Sequence, residues 1–227
     1  MKPFRDIFIL VKKDILDELR GGGALISMLV FALLVIVIFS FAFGTLLSAQ
    51  KELSAGLLWV TFVFASTLGL NYSFSVEKEN SAIKGLMLAP VDRSILYLGK
   101  LISNFVFIFI IELFTVPIFL VLFNYRVLEI IPQLLLVLFL GTAGICSVGT
   151  IFSSMSTSTK KGNILLPIIL FPIIIPLLIG SIRCTSAIFL DESLISSTGS
   201  WIIMLVVYDV LFITISLLTY EFILEEL

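Results

Sequence analysis

The chain has 227 residues, 59% of them hydrophobic, only 13% charged, and a formal net charge of -2. A soluble domain carries about 25% charged residues, so this is an integral membrane protein. At about 20 apolar residues per span the length accommodates six spans and leaves no room for a separate soluble catalytic domain.

Residues 1–20 place Phe4, Phe8, Val11, Ile15 and Leu19 on one helical face and Lys12, Lys13, Asp14 and Asp17 on the others. That pattern predicts an amphipathic helix lying in the membrane interface, the alternative being a plain charged tail. The hydrophobic run that follows is too long for the core of a cleavable signal. Gly21 to Gly23 give a flexible break, after which uncharged runs at 24–47 and 53–76 read as the first two spans, separated by Lys51 and Glu52.

Residues 77–100 form the only long charged island between spans, and they read as a cytoplasmic coupling loop. Within it Asn80 or Ser81 is placed to cap a short helix through Ile83, Leu86, Met87 and Leu88; Pro90 ends it, and Asp92 is placed to cap the next span. Such a partly apolar helix suits a grip by a separate motor subunit, and an ordinary interhelical connection is the other reading.

The third span, 101–123, carries Glu112 and the helix-distorting Pro117. Pro132 opens the fourth, where Gly141, Gly144 and Gly149 permit close helix packing. Residues 153–163, with Lys160 and Lys161, read as a second cytoplasmic loop. The fifth span, 164–182, holds Pro167, Pro172 and Pro176, and their spacing predicts a break or bend near Phe171 to Pro176. Its outer half, with the outer loop 183–200, is a candidate outer gate or partner surface. The last span, 201–220, has Trp201 and Tyr220 as expected interfacial anchors and Asp209 near its middle. Of the 14 Lys and Arg residues, only Lys51, Arg126 and Arg183 fall on the outer side, which places both termini in the cytoplasm.

Glu112 and Asp209 are intramembrane polar candidates, because an ionisable group at mid-span costs about 2.5 kcal/mol or more unless it is paired or hydrated. Each is either a functional acid or a hydrogen-bonded packing pin. No phosphate-binding GxxxxGK[ST] loop occurs, and the chain has no histidine. It therefore lacks the parts for a P-loop ATPase, a Ser-His-Asp triad or His-ligated haem and zinc. Cys146 and Cys184 are isolated, so no metal site and no catalytic residue is assigned.

Several stretches, in order, resemble the heme exporter protein B (CcmB) family. They are Leu57 to Val60, Asn80 to Pro90, Leu98 to Leu101, Lys160 to Asn163, and Leu170 to Leu178. The resemblance implies an all-α, ABC-2-like permease of six transmembrane helices, a single domain over 1–227 with an interfacial helix at 1–20. It further implies a bacterial inner-membrane subunit of the ABC-type complex of cytochrome c maturation. Its partners would be a CcmA-like ATPase that binds the ATP, CcmC- and CcmD-like membrane subunits, the periplasmic haem chaperone CcmE indirectly, and membrane lipid, with no nucleic acid. The chain would bind no cofactor itself, haem being cargo of the complex. The alternative is an ABC-2 exporter of a lipid, polysaccharide or drug, and a third reading is a scaffold that only anchors partners. Two departures stand out: Glu79 to Lys84 differ from the family's Gly-Ser-containing stretch, and the last span matches only generically, so Asp209 inherits no role.

Overall fold

The computed structural model describes the backbone of residues 2–21, 23–43, 47–79, 92–125, 127–157, 162–190 and 194–225. These form seven helices and, among the described residues, no strand: α1 (Lys2–Gly21), α2 (Gly23–Phe43), α3 (Leu47–Glu79), α4 (Arg93–Leu122), α5 (Val127–Thr157), α6 (Gly162–Phe189) and α7 (Leu194–Glu225). Helices α2 to α7 are each long and apolar enough to cross a membrane. The chain is thus the six-span all-α membrane protein that its uncharged runs predict.

Helix α5 is the central post, packing against α3, α4, α6 and α7. Its apolar window is 72% buried, as is that of α3, against 22% for α2 and α7, which form the perimeter. Lipid is as apolar as leucine, so spans associate through close approach and polar contacts more than through the hydrophobic effect. The glycines of α5 supply the approach. A side chain at Gly141 would collide with the indole of Trp59, and one at Gly144 would come within 2.6 Å of Leu177 and 2.8 Å of Asp209 Oδ1. Trp59, fully buried, donates from Nε1 to Thr185 Oγ1 at 2.9 Å, tying α3 to α6 over the glycine face.

The spans reach further than the uncharged runs suggest. α6 is continuous from Gly162 to Phe189 through all three prolines, so the expected break near Phe171 to Pro176 is absent. Pro172 and Pro176 both lie on the exposed side, four residues apart, so their missing donors fall on one face. The other face holds a buried seam of Leu170, Ile174, Leu177, Ser181, Cys184, Thr185 and Ile188, which keeps the rod seated on the bundle. The outer loop 183–200 contracts in the same way, since residues 183–189 continue α6 and 194–200 begin α7. Ala187, Ile188 and Phe189 are buried, and Phe189 stacks on Tyr125 with ring centroids 4.2 Å apart.

The two inner loops shorten too. Residues 153–157 are helical, with Ser153 and Ser154 buried in α5, and Gly162 already opens α6. α3 runs to Glu79 and α4 begins at Arg93, which confines the charged island to 80–92. Asp92 does occupy the N-cap of α4, through its backbone: its carbonyl accepts from Ile95 N at 2.9 Å and Leu96 N at 3.3 Å, with no side-chain cap bond. Pro132 lies inside α5, five residues after Val127 opens it. Tyr220 is no interfacial anchor, being buried against the ring of Tyr97 at 5.3 Å. α4 ends at the far side on Asn124, whose φ of 59° lets Tyr125 N bond Leu120 O at 2.8 Å. Asparagine tolerates this left-handed position better than most residues.

α1 lies against α4, with a narrower touch on α2. Phe4, Phe8 and Leu19 are exposed, as an interfacial helix requires, but the face turned to the bundle is a quarter turn away and polar at its centre. There Asp14, 9% exposed, pairs with Lys100 Nζ at 2.9 Å and Lys13 Nζ at 3.0 Å. Burial alone would raise the Asp14 carboxyl, but the attraction and hydrogen bonds of Lys100 and Lys13 outweigh it and hold the group below its ordinary 3.8. Glu18 completes the seating by accepting from Leu25 N, at the start of α2, at 2.8 Å.

Two outcomes follow from this packing. Gly141→Val drives a branched side chain into Trp59 and should destabilise the detergent-solubilised protein by about 1–3 kcal/mol, read as a lowered thermal midpoint, whereas Ala143→Val on the half-buried side should shift it little. The folded-state pKa of Asp14 is depressed, so its stabilisation is complete above pH 3.8 and is lost as pH falls below that value. Thermal midpoints measured down a pH series should fall in that acid window for the wild type and vary less for Asp14→Asn, which should be less stable near neutrality because Lys100 loses its buried partner.

Candidate functional site

A polar seam runs up one side of α5 where α4 and α7 meet it. Near the end that carries the 80–92 connection, Tyr97 Oη and Ser216 Oγ both donate to the carbonyl of Ser147, at 3.0 and 3.3 Å. Three spans thereby share one acceptor. Ser147 Oγ in turn donates to Gly144 O at 2.9 Å. Asn104 Nδ2 donates to Thr150 Oγ1 at 3.0 Å. At mid-membrane Thr142 Oγ1 lies 2.8 and 2.7 Å from the two carboxyl oxygens of Glu112, which is wholly buried.

The residues are held this way by antiparallel register. α4 and α5 run in opposite directions, so Asn104 meets Thr150 and Glu112 meets Thr142, with eight residues between contacts on each helix. Eight residues make just over two helical turns, which keeps both contacts on one face. A threonine hydroxyl has a single proton and can donate to only one of the two oxygens. Glu112 is thus hydrogen-bonded across the α4–α5 contact, and no ion pair to it exists among the described residues.

Asp209 is arranged differently. It is 7% exposed, its Oδ1 lies against Gly144, and that oxygen has no hydrogen-bond partner among the described residues. Thr142 and Gly144 are two residues apart, about 200° around a helix. The two acids thus approach α5 from opposite sides and do not form a dyad.

Asn80, Ser81, Ile83, Leu86, Met87, Leu88 and Pro90 lie outside the described residues. Their flanks are described: α3 delivers the chain at Glu79, and Asp92 hands it to α4. Pro167 lies in the helical backbone of α6, while Pro172 and Pro176 face outward and line no site. Among the described residues no three His, Cys, Asp or Glu side chains are grouped as a metal site requires. Cys146 and Cys184 are buried free thiols.

Sequence reasoning missed the partners that organise this end of the bundle. Lys100 belongs by sequence to the charged island, yet it is 8% exposed and paired. Tyr97, within the same expected loop, is fully buried in α4. The available signal was Asp14 itself, an acid one turn after the apolar Leu10 and one turn before Glu18, on a face beside the exposed apolar stripe.

Comparison with known proteins bears on this architecture directly. A family profile described as CcmB protein matches residues 5–223. Heme exporter protein B of Pseudomonas aeruginosa is 30% identical over 160 residues, covering 70% of this chain and 71% of that protein. The protein of the same name from Rhodobacter capsulatus is 26% identical over 175 residues, 75% of this chain and 78% of the relative. That from Bradyrhizobium diazoefficiens is 26% identical over 180 residues, 79% and 80% respectively. The match takes in most of α1, all six spans and the polar seam, and the chain belongs to the CcmB protein family.

Proposed function

We propose that this chain is the permease subunit of an ABC-type complex of cytochrome c maturation, in which hydrolysis of ATP by a separate CcmA-like subunit drives haem export or release of the haem-loaded chaperone CcmE. The observation that carries this reading is the family match over residues 5–223, joined to relatives named heme exporter protein B. The chain has spans but no phosphate-binding loop, so it is itself no ATPase and the nucleotide belongs to a partner. CcmC- and CcmD-like subunits complete the assembly.

The ATPase docks on residues 80–90, through Leu86, Met87 and Leu88 with Asn80, Ser81, Ile83 and Pro90 shaping the segment. The two spans flanking that segment, α3 and α4, are in direct contact with the central post α5, so a push there is delivered into the bundle. Lys and Arg are concentrated at this end and at the N-terminus, which supports an inner-membrane protein with both termini and the docking segment in the cytoplasm.

Haem enters as cargo. Stable haem ligation draws on His, Cys thiolate, Met with His, or Tyr; this chain has no His, and its two cysteines are buried. Strong axial ligands therefore come from partner chains, and this one supplies mechanical coupling.

Replacing Leu86 or Met87 by Asp inserts a charge into a partly apolar contact, at a cost of several kcal/mol, and should abolish co-purification of the ATPase while the permease still reaches the membrane. Wild-type ATPase recovery with either substitution sinks the docking assignment. The purified lone subunit, titrated with haem and then washed, should keep no stoichiometric low-spin spectrum, whereas the assembled complex should; a washed lone subunit that retains one points instead to Met, Tyr or Cys ligands in this chain.

A further inference from the structure

The surface helix α1 is joined to the bundle by a set of contacts that a mere membrane anchor does not need. Asp14 and Lys100 are both 9% exposed at the side chain and 2.9 Å apart, and Lys13 adds a second ammonium at 3.0 Å. A surface ion pair contributes little to stability. A buried one resists separation, because parting its members leaves an uncompensated charge out of water. Just beside it, Gly99 lets Leu10 pack against the backbone of α4: a side chain there would stand 3.0 Å from Leu10 Cβ. Four residues on from Asp14, Glu18 holds Leu25 N of α2. α1 is thus fixed at Leu10, Asp14 and Glu18, along a single face.

The place of the pair matters as much as its strength. Lys100 stands in the second turn of α4, eight residues after Asp92, where the docking segment hands the chain to that helix. Tyr97, one turn before it, donates to Ser147 O of the central helix and packs on Tyr220 of α7. A displacement of residues 80–91 that tilts or shifts the start of α4 meets α1 through Lys100 and α5 through Tyr97 at nearly the same level. From this geometry we infer that Asp14 and Lys100 are positioning residues that make α1 a moving part of the transport cycle, carrying the stroke received at residues 80–91 to the membrane surface. The inference rests on the coupling role given to that segment above.

The test uses the full complex with its ATPase in lipid nanodiscs, with single reporter thiols at Ser81→Cys in the docking segment and Lys12→Cys on the exposed side of α1. The native Cys146 and Cys184 are buried and stay silent to a membrane-impermeant maleimide. Labelling rates are compared without nucleotide and with ATP plus vanadate. Both reporters should change rate several-fold on trapping. With Asp14→Asn the change at Lys12→Cys should vanish while that at Ser81→Cys persists, and Asp14→Glu, which keeps a carboxylate for Lys100, should restore it. Recovery of the ATPase with each variant verifies that assembly is intact, which a variant that merely misfolds does not pass. A response at Ser81→Cys with none at Lys12→Cys in the wild type, or one at Lys12→Cys that survives Asp14→Asn, overturns the inference. Silence at Ser81→Cys in the wild type removes the coupling reading itself.

Discussion

Hydrocarbon offers a polar atom no water, so each hydroxyl, amide and carboxyl inside these spans must find its partner in the protein. Part of the answer is a set of polar contacts between spans gathered on α5. Thr142, Ser147 and Thr150 receive Glu112, Tyr97, Ser216 and Asn104. The perimeter spans α2 and α7 turn Ile26, Val30, Leu34, Val206, Val210 and Leu218 outward. Glycine makes the arrangement possible, since Gly141 and Gly144 bring Trp59, Leu177 and Asp209 onto the helix axis. Had these positions carried side chains, Trp59, Leu177 and Asp209 would have to draw back from α5.

The division between core and perimeter was legible in the chain only in part. Six long apolar runs gave six spans, because length and apolar composition are what the bilayer selects. The glycine spacing in α5 announced close packing. The lengths of the helices were hidden, since hydropathy marks where apolar side chains lie and not where backbone hydrogen bonding stops. Hence Arg183 to Phe189 looked like a loop although Ile188 and Phe189 are packed against the aromatic end of α4. The prolines of α6 leave its helical run uninterrupted for a related reason. A proline removes one donor, and whether the rod parts there depends on how firmly the rest of it is seated, here by an unbroken buried seam on the opposite side.

The polar partnerships were the least legible. Glu112 stood out as an acid inside a span, and its threonine could be guessed by type but not by number, since antiparallel register is set by packing. Lys100 was the harder case. A lysine at the edge of an apolar run signals the membrane boundary by default, and only the arrival of Asp14 from 86 residues upstream turns it inward. Phe4, Phe8 and Leu19 of the apolar stripe of α1 are exposed, while the face that joins the protein is the one beside it, where a charged pair takes the centre.

The Glu112 to Thr142 contact also has a bearing on how the chain is made. α4 and α5 are consecutive in synthesis, and the carboxyl of the first is answered by the hydroxyl of the second, across a turn closed locally by Asn124 and Tyr125. A lone span bearing Glu112 enters lipid at a disadvantage of a few kcal/mol, which its successor relieves, so the pair is suited to leave the translocon together as a hairpin. Asp209 has no such companion at hand. It lies in α7, and the Gly144 surface that receives it belongs to α5, which precedes it in synthesis by two helices.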